Sequence, residues 1–160
     1  MTERHSRQRQ SWQGLVEFAV IFPVFIFIMF AIIDGGLLMG RYNNINNSAK
    51  EAARLGAVGA DLDQIIIRAQ AQAHGGLDAP VGDCDDMNGP GNAICVEWIP
   101  RSPASPGQLG ASVRVKIRYE YDALTPIPWV GPIAVTVCAI QRQEQSISPV
   151  PNVGAGESCD

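Results

Sequence analysis

Histidine is scarce in this sequence, with His5 and His74 as its two representatives, and Cys84, Cys95, Cys138 and Cys159 form no Cys-x-x-Cys pair. A structural zinc site needs four such ligands at short spacings, so no metal is expected. A nucleophile, a general base and a group to orient it cannot be assembled from the residues either. Neither a catalytic residue nor a cofactor is therefore expected. An excess of basic charge is also missing: the net charge is −4. A nucleic-acid partner, whose phosphates would need Lys and Arg to neutralise them, gains no support. The 160 residues leave room for one modest globular domain.

Of long apolar runs there is one, Leu15 to Ile33, LVEFAVIFPVFIFIMFAII, nineteen residues with Glu17 as their single charge. At about 1.5 Å of rise per residue, a helix of this length spans a bilayer core of about 30 Å. The hydrophobic share of the whole chain, 46%, is ordinary for a globular protein; its concentration in this window is what marks a membrane helix. The run is longer than the apolar part of a secretory signal, about 7–15 residues, and no A-x-A-like site follows it, so the span is expected to be retained. The head, residues 1–13, sets Arg4, Arg7 and Arg9 against Glu3, whereas the first charges beyond the run are Asp34 and Arg41. The positive-inside rule then places the N-terminus in the cytoplasm and the C-terminal domain outside it, as a single-pass protein of the cytoplasmic (inner) membrane.

All four cysteines fall in that exported part. An even number in an oxidising compartment reads as two disulfides among three connectivities. Cys84 with Cys95 is favoured because the intervening DDMNGPGNAI is turn-rich and closes a small loop; Cys138 with Cys159 is what remains.

Within the apolar run Pro23 removes a backbone donor and is expected to kink the helix, which membrane helices tolerate. A carboxylate in such a segment is costly and usually has a partner or a task. The plainer alternative sets Glu17 at the headgroup level, with the span beginning at Phe18. Asp34 marks the opposite interface, where Gly35, Gly36 and Gly40 loosen the exit or permit close helix contact.

From Arg41 to Gly59 helical character returns. Ile45, Ala49, Ala52, Ala53 and Gly56 recur at offsets of three and four, a narrow stripe against which another helix or a sheet can pack closely. Lys50, Glu51 and Arg54 read as a solvated face. A second helix starts at Asp61, which with Gln64 has the spacing of a capping box; Leu62, Ile65, Ile66, Ala69 and Ala73 form its apolar stripe and Gly75-Gly76 ends it. His74, beside those glycines, suits a helix C-terminus better than catalysis.

Beyond Gly75 the style changes to turns and strands. Loops are expected at 77–92 and 101–110, and a short strand at Ala93–Ile99. The clearest strand has Val113, Val115, Ile117, Tyr119 and Tyr121 alternating with Arg114, Lys116, Arg118 and Glu120, one face buried and one wet. Ile133–Gln141 pairs with it as a long-looped hairpin, and the tail from 146 is flexible except where Cys159 ties it down. Asp78, Asp83, Asp85 and Asp86 with Asn88 and Gly89 resemble a calcium loop poorly, because Met87 takes a ligand position and no Glu closes the loop; a solvated turn is expected. Trp98, Trp129, Tyr119 and Tyr121 are expected to pack in the core or on the sheet.

At GLVEFAVIFPVFIFIMFAIIDGG followed by NNINNSAKEAARLGA the chain resembles the TadE-like family, the minor pilins or pseudopilins of tight-adherence (Flp type) pilus systems. The residues that carry the resemblance are Glu17-Phe18 with Pro23 soon after, Ile32-Ile33-Asp34 near the exit, and Ala49 to Arg54 just beyond. Val113 to Tyr119 and a last strand running into Arg142 and Glu144 are similar to the family's β part, so that the likeness spans roughly residues 14 to 144. It implies a prepilin peptidase cutting after a glycine with Glu at the fifth mature position. Here Trp12 stands where that glycine would be, and Gly14 is the nearby candidate for processing. The resemblance also implies that Glu17 meets the free amine of a neighbouring subunit, and that the stripe of Ala49, Ala52, Ala53 and Gly56 mediates assembly.

The expected architecture is α+β and pilin-like: a single N-terminal transmembrane helix, extended by amphipathic helix and packed on a small antiparallel β-sheet. It comprises a cytoplasmic head (1–13), a transmembrane helix (14–40), an extracytoplasmic helical region (41–76), a small antiparallel β domain (77–145) and a tail (146–160). The expected function is structural, in assembly or priming of a pilus or a related secretion system. The partners implied are the membrane, other pilin or pseudopilin subunits, the assembly platform and prepilin peptidase, with incorporation into a surface pilus. The rival is a membrane-anchored adhesion domain that binds an outside ligand through loops 77–92 and 101–110.

Overall fold

A computed structural model of the chain describes residues 3–73, 77, 84, 87, 89–100, 109–124, 131–146 and 159. His74, Gly75, Gly76, Asp78, Asp83, Asp85, Asp86, Asn88 and Trp129 lie outside these residues, as do most of the two loops and of the tail. The described chain is α+β: helix α1 (Glu3–Ala57), helix α2 (Leu62–Gln72) and strands β1 (Ala93–Ile99), β2 (Ser112–Tyr121) and β3 (Ile133–Arg142). It divides into two compact units, one of Met1–Leu37 with Ala123–Val130, the other of Leu38–Asp122 with Gly131–Asp160.

In the first unit α1 continues through Pro23. In the second, the three strands form an antiparallel sheet in the order β1-β2-β3. Ile94, Val96, Trp98, Val113, Val115, Ile117, Val137 and Ala139 project from one face of it. They pack with Ile45, Ala49, Ala52 and Ala53 of α1 and with Ile65, Ile66 and Ala69 of α2. The helical segment after residue 41 and the sheet thus share one core, because each carries an apolar face that neither can bury alone.

The ends of α1 and α2 follow from local chemistry. Gly59 takes φ 86°; its N–H donates to Gly56 O at 3.1 Å and that of Ala60 to Leu55 O at 3.3 Å. This is the Schellman pattern, which needs the left-handed backbone that glycine adopts freely. Leu55 and Ala60 both pack against the core. Glu144 N–H, just past β3, donates to Ala57 O at 2.8 Å, so an orphan carbonyl of the helix end is satisfied by the strand that follows it in the fold. Asp61 has the extended backbone of an N-cap, φ −67° and ψ 152°, but its side chain makes no capping bond. The capping box is not formed; what begins α2 is Ile65 N–H donating to Asp61 O at 3.1 Å.

At Gly56 helix and sheet approach closely. A methyl group in place of its hydrogen would lie 2.8 Å from Val113 Cγ1 and 3.2 Å from Ile65 Cδ1, both on fully buried side chains. Alanine in a helix is favoured over glycine by about 0.5–1 kcal/mol, whereas overpacking a closed core costs about 1–3 kcal/mol. Gly56→Ala is therefore expected to destabilise the domain, read as a lower denaturant midpoint for Trp98 emission in the solubilised chain. A midpoint equal to or above the parent's contradicts the close approach.

The second face of the sheet departs from the expected wet one. Arg114 is 6% exposed and Glu97 4%, and they stand opposite each other in the β1–β2 register. The alternation along β2 marks Arg114 as outward-facing, which it is; outward here does not mean solvated. The same face carries Cys95, Lys116 and Cys138 in one cross-strand row. Cys84 is bonded to Cys95 and Cys138 to Cys159, with Cα atoms 5.2 and 5.7 Å apart. The chain segments closed are 11 and 21 residues, for which restricting the unfolded chain is worth about 3 kcal/mol each. Cys84 and Met87 pack with Cys95, and Arg118 donates to Met87 O at 3.0 Å, so Cys84 and Met87 cover part of this face.

Candidate functional site

Among the described residues α1 is the one helix long and apolar enough to cross a membrane, and that stretch is not buried inside the chain. Leu15, Phe18, Val20, Ile21, Ile28 and Ile32 each expose more than half of their surface. So much bare hydrocarbon on one helix has no explanation in water and calls for lipid or other helices around it. Phe18 and Phe22 stack along it with centroids 5.3 Å apart.

Glu17 is exposed near the start of this apolar surface, and among the described residues nothing pairs with it. Its carboxylate would be costly in hydrocarbon, so it needs either the headgroup layer or a cation from outside the chain. Gly14, one turn before it, meets nothing within 4 Å of an added Cβ, and the same holds for Gly35, Gly36 and Gly40. Asp34 accepts a hydrogen bond from Leu124 N–H at 3.0 Å. Glu17 and Asp34 stand at opposite ends of the apolar stretch, about 25 Å apart at 1.5 Å per residue.

The small-residue stripe has a different fate. Ala49, Ala52 and Ala53 are fully buried in the core beneath the chain's own sheet, and an added Cβ at Gly56 would run into Val113 of that sheet. Of the two partners a small-residue stripe can serve, helix or sheet, this chain supplies the sheet itself. Ser48 in the same stripe donates from Oγ to Ala69 O at 2.6 Å, a clasp between α1 and α2 that apolar periodicity does not reveal.

On the other side of α1, Asn47, Lys50, Glu51, Arg54 and Val58 form an open groove of about 600 Å³ with Gln141 and Glu144. Glu51 pairs with Arg68 at 3.3 Å on the surface. The groove mixes two cations with two carboxylates, and it has neither a nucleophile beside a base nor, among the described residues, a group of His, Cys, Asp and Glu able to hold a metal. Trp98 is fully buried in the core and Tyr121 nearly so, while Tyr119 packs against the core edge.

The Glu97–Arg114 pair is the polar feature the pattern along single strands hides. Arg114 Nε donates to Glu97 Oε2 at 2.9 Å, and its Nη2 donates to the same oxygen. The available signal is Glu97 itself, a lone charge inside the apolar AICVEWI of β1.

Residues 13–54 match the family model of the TadE-like protein. The match runs from the foot of the apolar run to Arg54 and stops before α2 and the sheet. No curated protein and no solved structure matches the chain.

Proposed function

We propose that this TadE-like chain is a minor pilin or pseudopilin, a structural subunit without catalytic activity that takes part in assembling or priming a tight-adherence pilus. The family match supports a Tad pilus-associated protein, and the apolar helix fits membrane anchoring. The observation that carries the finer reading is the state of α1. Its first part is an exposed apolar rod whose Glu17 has no partner among the described residues, and its last turns are locked into the core of a small disulfide-bonded domain. A subunit that packs through a shared helical stalk and displays a rigid head needs both properties in one element.

In this reading the head of residues 1–13 is cytoplasmic, the sheet domain lies outside the membrane, and the partners are other pilin-type subunits, the assembly platform and a prepilin peptidase acting after Gly14. Glu17 supplies the assembly contact by meeting a cationic group of a neighbouring subunit in a low-dielectric setting. The stripe from Ala49 to Gly56 contributes indirectly, by packing the last turns of α1 into the core of the sheet domain. Co-purification from extracted membranes tests this function: pilus components in the complex support it. A lone chain that binds a surface ligand by itself supports an adhesion domain instead.

A further inference from the structure

The connection from β2 to β3 leaves the sheet at Asp122 and runs from Ala123 to Pro132 without a charged residue. Its first residues do not group with the sheet: Ala123 and Leu124 belong to the same compact unit as the helix up to Leu37. What joins them is the hydrogen bond from Leu124 N–H to Asp34 Oδ1, 3.0 Å long. Asp34 is the first charge after the apolar run and so stands where a span beginning near Leu15 leaves the hydrocarbon. A backbone donor fixed to that carboxylate is held at the same depth. Yet Leu124 leaves 64% of its surface uncovered, and Ile33 and Leu37, on either side of Asp34, leave 44% and 46%. The residues that follow in sequence include Ile127, Trp129 and Val130 among prolines, the composition of segments that sit at a membrane–water boundary rather than in bulk water.

We propose that Leu124, where the chain leaves β2, makes a second, shallow membrane contact. Asp34 tethers its backbone to the span, and the Leu124 side chain enters the interfacial layer of the lipid surface where the span ends. The occupant is lipid rather than a protein groove because the residue that holds Leu124, Asp34, ends the exposed apolar run of the span, with Ile33 beside it and Leu37 one turn on also exposed. The inference rests on α1 being a membrane span.

The test uses the full chain reconstituted in phosphatidylcholine vesicles. Trp12→Phe and Trp129→Phe leave Trp98, which is fully buried, as an internal reference, and Leu124→Trp adds the probe. The emission gained with Leu124→Trp is expected to be lost in vesicles whose lipids are brominated near the headgroup end of the acyl chains, and to resist aqueous iodide. Adding Asp34→Ala, which removes the acceptor, is expected to weaken the lipid quenching. Ready quenching by iodide with none by brominated lipid overturns the proposal. Shielding from both also overturns it, because a protein partner then covers Leu124. Vesicle flotation separates the two levels of failure: a chain that does not float removes the span reading itself, whereas one that floats without lipid quenching removes this contact alone.

Discussion

Glu97→Ala is expected to lower the stability of the sheet domain by about 3–5 kcal/mol, the usual penalty for removing one member of a buried ion pair. Glu97 and Arg114 expose 5% and 8% of their side chains, so water cannot replace the lost partner. Against a total of about 5–15 kcal/mol for an ordinary domain, that loss leaves a barely folded protein. The pair need not be a net source of stability. Desolvating both charges roughly offsets their attraction, and replacing both with apolar residues of similar volume is often neutral or stabilising. Glu97→Leu with Arg114→Met is accordingly expected to recover most of what Glu97→Ala loses. Denaturant unfolding of the solubilised chain, followed by Trp98 emission, reads both variants. If Glu97→Ala unfolds at the parent midpoint, the pair is solvated and the second sheet face is open. The Glu51–Arg68 pair, more than a third exposed on both side chains, sets the scale for comparison, since exposed pairs contribute about 0.2–1 kcal/mol.

Glu17→Ala is expected to abolish assembly while leaving the domain folded. The substitution removes the one charge from the apolar run, so insertion becomes easier, not harder. The sheet core belongs to the other compact unit and should not register the change. If Glu17 meets a cationic partner in a low-dielectric contact, losing it costs about 3 kcal/mol or more, and at 1.4 kcal/mol per tenfold change assembly falls by about two orders of magnitude. Glu17→Gln, which keeps the shape and removes the charge, should behave like Ala if the contact is ionic. Parent-level assembly by both variants would place Glu17 in the headgroup layer as a bystander.

Much of the architecture is legible because it rests on local pattern. The alternation of Val113 to Tyr121 and the β-branched run after Pro132 place β2 and β3 and their pairing, and Pro100 closes β1. The turn-rich loop between Cys84 and Cys95 brings those two cysteines within reach of each other. Other features depend on what lies across a gap in space. Alternation shows that Arg114 points away from the helices, but whether that side is wet depends on how other chain covers it and on register with Glu97. The stripe of Ala49, Ala52, Ala53 and Gly56 announces close packing without naming its partner, so a neighbouring subunit and the chain's own sheet are equally good readings until the fold is known. Helix continuity, by contrast, is expected as the extension of the span by amphipathic helix, and α1 does run on past Gly35, Gly36 and Gly40 to Ala57. Asp34 is readable as the end of the span, but its bond to Leu124, 90 residues away, is not.

The most direct test of the structural role is what accompanies the full chain out of its membrane. After mild in vivo cross-linking and detergent extraction, affinity purification of the parent should bring down pilin-type subunits and the pilus assembly platform, and Glu17→Ala should lose them while its sheet domain stays folded. A parent chain that emerges alone under the same conditions, and binds a surface ligand as a monomer, would contradict assembly through α1.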